Sequence, residues 1–161
     1  MGDFADVAVE GTYRLIFVVF NTFFALLTQD EQVRCFANVA ARLGDGGVFV
    51  MEAFVPDVTR FDRGQRVAAL TGEVGSLHFE ASKHDPVAQR LDTLEVVVDD
   101  GTVSTLPVRI RYAWPTELDL MARPTALRLR DRWGGRDREP FTASSAHHVG
   151  VYERAPDAST R

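Results

Sequence analysis

The sequence predicts an α/β fold in which a strand–helix–strand unit is followed by an inserted antiparallel β-meander. Three observations carry this. Leu15–Phe20 and Val48–Phe54 are apolar runs rich in β-branched and aromatic residues, the composition of strands buried on both faces of a parallel sheet. Between them, Gln29–Leu43 repeats apolar residues at helical spacing, so a helix crosses from the first strand to the second and makes the pair parallel. From Val74 the period changes to two, with Leu77, Phe79 and Ala81 alternating with His78, Glu80 and Ser82.

The elements follow in order. Residues 1–11 are mixed and read as loop. The first strand ends in the polar pair Asn21-Thr22, at the edge where open α/β sheets bind ligands. Thr28-Gln29-Asp30-Glu31 is a capping box that starts the helix, and Val33, Phe36, Ala37, Ala40 and Leu43 form the stripe expected to pack on the sheet. Gly44 and Gly46-Gly47 stop the helix and turn the chain into the second strand. Pro56–Gly72 is charged and arginine-rich without a period, and reads as a linker or a short surface helix. Arg90–Val98 and Val103–Tyr112 flank Asp99-Asp100-Gly101-Thr102, a strong hairpin signal. Leu106, Val108, Ile110 and Tyr112 share one face of the second arm, with Arg109 and Arg111 on the other. Pro115-Thr116-Glu117 opens a helix that runs to about Arg123 and is ended by Pro124. Leu127–Trp133 and Val149–Tyr152 read as the last strands.

Composition bounds the function. The chain has 161 residues, 45% hydrophobic and 25% charged, which is enough for a real core. A net charge of -5 argues against nucleic acid as the main partner, which calls for a basic face. Cys35 is the single cysteine, so no intramolecular disulfide forms and a reducing, cytoplasmic setting is expected. Leu15–Leu27 is interrupted by Asn21 and Thr22 and is shorter than the roughly 20 residues of a membrane span, so no membrane association is expected.

In this order, Val18–Phe24, Gln32–Leu43 and Gly46-Gly47-Val48 through Phe54 resemble class I S-adenosylmethionine-dependent methyltransferases. The resemblance makes them the fourth strand, the following helix and the fifth strand of a Rossmann-like sheet, and Leu43-Gly44-Asp45-Gly46-Gly47 matches a common marker before the fifth strand. It makes Leu127–Gly135 and His148–Tyr152 the sixth and seventh strands, and it implies a domain over residues 1–154, with 74–113 as the antiparallel insertion and 155–161 as a disordered tail. The family's Gly-rich loop after the first strand and its acidic ribose anchor after the second are not in this sequence. Gly44-Asp45-Gly46 follows a helix and precedes a strand, the wrong order for a nucleotide loop. The resemblance is therefore to the carboxyl-terminal part of such a domain, a partial sheet with an incomplete cofactor site.

What it implies about residues is specific. Gly2-Asp3-Phe4 resembles the segment that meets adenine, which makes Asp3 and Phe4 cofactor contacts. Asn21 and Thr22 would lie beside the methionine half of S-adenosylmethionine. The implied activity is methyl transfer to a small-molecule N or O acceptor; whether this chain is active alone stays open. The alternative is a non-catalytic half-domain that associates, with itself or with an N-terminal partner chain, through the bare edge of Leu15–Phe20.

Other residues carry two readings each. Glu52, at the end of its strand, is either a carboxylate at the site mouth or a solvated or paired one. His84, in a turn between meander strands, is a weak candidate for general base against an ordinary surface turn. Arg109 and Arg111 either bind an anionic substrate or form the wet face of a strand, and Tyr112, Trp114 and Trp133 either stack on a substrate or pack the core. His147-His148 and His78 lack the cysteine partner or helical histidine spacing of a metal site, so no metal is expected.

Overall fold

The computed structural model describes residues 4–6 and 9–156. Asp3, and the part of the expected tail from 157 onward, lie outside the described residues. In chain order the elements are β1 (Tyr13–Val18), a 3-10 turn (Thr22–Ala25), α1 (Gln29–Arg42), β2 (Leu43–Phe54), a second 3-10 turn (Val58–Arg60), β3 (Gln65–Glu73), β4 (Ser76–Asp85), β5 (Arg90–Asp99), β6 (Thr102–Arg111), α2 (Pro115–Ala122), a third 3-10 turn (Arg123–Thr125), β7 (Leu127–Trp133) and β8 (His147–Arg154). They form two compact units, one holding the chain through Pro56 and again from Ala113, the other Asp57–Tyr112.

The first unit is a four-stranded sheet in the order β1-β2-β8-β7. β1 and β2 are parallel, joined by α1, as the strand–helix–strand reading requires; β8 runs antiparallel to both β2 and β7. α1 starts on the capping box read from the sequence: Thr28 Oγ1 accepts from the Glu31 N–H at 3.2 Å, and the Thr28 N–H donates back to the Glu31 carboxylate at 2.9 Å. The buried stripe of α1 is Gln32, Cys35, Phe36, Val39 and Ala40. It is rotated from the expected one: Ala37 faces solvent, while Gln32 turns inward because its amide donates to the Leu26 carbonyl at 3.2 Å. Phe36 centres the core, packing edge-on against Phe23, Phe49 and Tyr152 at ring-centroid distances of 5.3, 5.8 and 5.4 Å.

The helix ends at Arg42 and β2 begins at once, so the glycines lie inside the strand rather than before it. The register jumps from Tyr13↔Leu43 to Leu15↔Val48, leaving Gly44–Gly47 as an irregularity opposite a single residue of β1. A side chain at Gly47 would come within 2.8 Å of the Gly44 carbonyl and 2.9 Å of the Tyr13 carbonyl, and Gly46 has φ +67°. The Gly-Gly pair is thus required by close backbone approach and by a left-handed turn.

The second unit is an antiparallel meander in the order β3-β4-β5-β6. Its β5–β6 hairpin turns at Asp100 and Gly101, with φ of 45° and 81°, the successive positive values that Asp-Gly favours in a two-residue turn. Two sequence expectations change here. Gln65–Glu73 is a full strand instead of a linker or helix, because β4 supplies its ladder. On β6 the face assignment does not decide burial: Leu106 is exposed, while Arg111 is buried and donates to the Gln89 side-chain oxygen at 2.8 Å. Among the described residues, no helix is long and apolar enough to cross a membrane.

Candidate functional site

β1 and β2 end on the same side of the sheet, and the antiparallel β8 begins there, so Asn21, Glu52, His147 and His148 gather at the carboxyl edge of the parallel pair. The chain leaves β1 through two successive left-handed residues, Phe20 (φ 56°) and Asn21 (φ 62°). Such a conformation is uncommon for Asn and an outlier for a bulky Phe, and surrounding bonds must hold it. β2 supplies them. The Phe20 N–H donates to Glu52 Oε2 at 3.2 Å, the Asn21 N–H to the Glu52 carbonyl at 3.3 Å, and Asn21 Oδ1 accepts from the Phe54 N–H at 2.7 Å. The Thr22 N–H closes the turn onto the Val19 carbonyl at 3.1 Å.

Glu52 has a second partner, one with no periodic signal in the sequence. Arg136, in the connection between β7 and β8, donates from Nε and Nη2 to the two Glu52 oxygens, each at 2.9 Å. Its guanidinium also lies 4.7 Å from the centroid of the Phe20 ring. The hydrogen bonds from Arg136 hold the Glu52 carboxyl below the ordinary carboxylate range, against the effect of burial; the Phe20 N–H and the charge of Arg136 add to the lowering. Of the two readings of Glu52, the structure takes the paired one, at the strand end where the mouth was expected.

A part-buried polar network joins α2, β7 and β8. Arg132 of β7 donates from Nη2 and Nη1 to Asp119 of α2 at 2.7 and 3.0 Å, and the Tyr152 hydroxyl donates to Asp119 Oδ1 at 3.0 Å. Burial, with Asp119 adding to it, pushes the Tyr152 hydroxyl far up. His148 is fully buried, 5.9 Å from the Phe141 ring centroid, and neither ring nitrogen meets a hydrogen-bond partner. Burial, and then the charge of Arg132, press its pKa down to about 4, so it is neutral at physiological pH. His147, its strand neighbour, faces solvent. No cluster of three or more metal-ligating side chains forms among the described residues.

The candidate residues read from the sequence fall on different elements. Asn21 and Thr22 share the strand-end turn. Phe4 instead lines an apolar groove of about 370 Å³ beside β1 and α1, with Tyr13, Leu15, Phe17, Cys35 and Val39 among its walls. His84 lies within β4 rather than in a turn, buried in the meander unit, with Nε2 3.0 Å from the Tyr112 hydroxyl and its ring 4.7 Å from that of Phe61. Arg109 pairs with Asp92 at 3.6 Å.

The same backbone occurs in known proteins. No family model matches the chain. The cypemycin N-terminal methyltransferase of a Streptomyces species is 26% identical over 156 residues, covering 95% of this chain and 63% of the relative. The structure of the CcbJ methyltransferase from Streptomyces caelestis matches at TM-score 0.92 and 40% identity, over 97% of this chain and 63% of that one. The relative and the structural neighbours named here are methyltransferases, and some of the neighbours are S-adenosylmethionine-dependent. One of them, from Clostridium acetobutylicum, matches at TM-score 0.83 with 11% identity, over 96% of this chain and 63% of that one, a likeness of fold alone. The resemblance to the carboxyl-terminal part of a class I enzyme therefore agrees with relatives as well as motifs, and the partial sheet with an antiparallel meander is the fold observed. The chain spans 63% of the length of the curated relative it matches.

Proposed function

We propose that this chain is the carboxyl-terminal part of a cytoplasmic methyltransferase domain, covering residues 1–154 with 74–113 inserted, that acts on a small-molecule N or O acceptor. The observation that carries the reading is the 40% identity and TM-score of 0.92 to the CcbJ methyltransferase over 97% of the chain. The described residues fit one wall of a cofactor site: a polar turn at the carboxyl edge of a parallel strand pair, where such sheets place ligands. The chemistry S-adenosylmethionine supplies when bound is a methyl group on a sulfonium, which departs as a neutral thioether, so the protein's share is chiefly alignment.

Asn21 and Thr22, with Asp3 and Phe4, are the residues assigned to the cofactor. Asn21 acts by fixing the turn, since its side-chain oxygen is engaged by the Phe54 N–H. His84 as a base on the acceptor side has the least support, because its ring is buried against Phe61 and Tyr112. Calorimetric titration of S-adenosylhomocysteine into the 161-residue chain tests the reading. Binding in the micromolar range, weakened by Asn21→Ala, is expected; an affinity unchanged by Asn21→Ala contradicts the assignment of Asn21, and absence of binding to a folded sample means that this half-site does not hold the cofactor without the Gly-rich loop.

A second reading is favoured by a different observation. β1 is an edge strand whose Leu15 and Phe17 are 55% and 63% exposed, beside the apolar groove. An edge of this kind is a template for pairing, which supports a non-catalytic half-domain associating through it with a second copy or an N-terminal partner chain. Light scattering of the purified chain decides for self-association: a dimer mass supports it, a clean monomer counts against it.

A further inference from the structure

Arg136 occupies a cation site. Its guanidinium is held by both oxygens of Glu52 at 2.9 Å and by the face of Phe20 at 4.7 Å. A carboxylate and an aromatic face converging on one point are what recognises an organic cation. The two sides of the contact differ in kind. Glu52 is built into β2, its side chain is 18% exposed, and it also accepts from the Phe20 N–H, so the carboxylate is fixed relative to the Phe20 backbone. Arg136 is 61% exposed and follows Gly134-Gly135 in the β7–β8 connection. Arg136 approaches from the solvent side, so another cation can take its place if it makes its own contacts with the Glu52 carboxylate and the Phe20 ring. The left-handed Phe20 follows β1 at the carboxyl edge of the parallel pair, and its ring meets the same guanidinium that the carboxylate holds.

We propose that Glu52 and Phe20 form the subsite for the methyl acceptor's amino group, which enters as an ammonium, displaces Arg136 and gives one proton to the Glu52 carboxylate, so that the nitrogen attacks with a free lone pair. The proposal rests on the methyltransferase reading of this edge and narrows its acceptor to a small-molecule amine.

The test is a binding measurement that needs no cofactor. Benzylamine, charged at neutral pH, and benzyl alcohol, its neutral counterpart, are titrated into the 161-residue chain and followed by amide chemical shifts. The amine is expected to bind more tightly than the alcohol and to shift Phe20, Asn21 and Glu52. Arg136→Ala removes the internal competitor and should tighten amine binding by about threefold, whereas Arg136→Lys keeps a cation and should leave it near wild type. Adding Glu52→Gln to Arg136→Ala should weaken amine binding by about tenfold, the loss expected for a charge-assisted contact, without changing the alcohol. Phe20→Leu in the Arg136→Ala background keeps the carboxylate and should weaken the amine by about threefold, so the site remains testable if the Glu52 variant does not fold. Equal binding of amine and alcohol, or amine binding indifferent to Glu52 and Phe20, overturns the proposal. That result with S-adenosylhomocysteine binding intact leaves the methyltransferase reading standing; loss of cofactor binding with the amine site intact does the reverse.

Discussion

His148 places two ring nitrogens in a fully buried position where neither meets a partner. The groups that act on it are Arg132, Asp119 and His147, and burial outweighs them all. Its pKa is about 4 in the folded chain against an ordinary 6.5, so between those values the unfolded chain binds more protons. The contribution to stability is complete above pH 6.5 and is lost as pH falls towards 4, a change of about 3 kcal/mol by linkage. The lowered carboxyls of Glu52, Asp57 and Asp85 titrate below their ordinary 4.5 and 3.8, and so act at more acid pH. Urea unfolding across this range should show the acid-side loss in wild type and a flatter curve in His148→Phe, which keeps a ring and removes the titration. An unchanged slope in the variant would assign the loss to other groups. Of the residues at this edge, Asn21, Thr22 and Glu52 were legible because they end strands marked by apolar runs. Arg136 was not: its contact with Glu52 spans 84 residues of sequence from a glycine-led loop with no period.

At the scale of elements, local chemistry decided what could be read. The α1 capping box and the Asp-Gly hairpin act within four residues, and both appear as the sequence states them. β3 was missed because its strand character comes from pairing with β4, while Arg66, Thr71 and Glu73 give it a polar, linker-like composition. The rotated stripe of α1 has the same origin, since Gln32 is drawn inward by the Leu26 carbonyl, a contact no periodicity encodes. The cap gives a quantitative expectation. Thr28→Ala removes the acceptor for the Glu31 N–H and should cost about 1 kcal/mol, read as a lower urea midpoint at unchanged slope. A midpoint equal to wild type would mean that the helix start is held by packing alone.

At the scale of the whole molecule, one unit carries the parallel pair β1–β2, to whose carboxyl edge we assign the cofactor, and the other is a meander with its own ladder. Among the described residues, the strand order β1-β2-β8-β7 leaves β1 with a bare side, and its apolar groove lies on the element that also carries the Phe20–Asn21 turn. The fold class was legible because a helix between two apolar runs permits only a parallel pair, and the change of period to two marks the meander. How β8 inserts between β2 and β7 was not, because strand order is a tertiary choice. The claim that joins these scales is that the carboxyl edge of β1 and β2 is where ligands act. Hydrogen exchange of the chain with and without S-adenosylhomocysteine tests it most directly. Slower exchange confined to Phe20–Thr22 and to Glu52–Val55 is the predicted result; no change there, or protection centred in Gln65–Arg111, would contradict it.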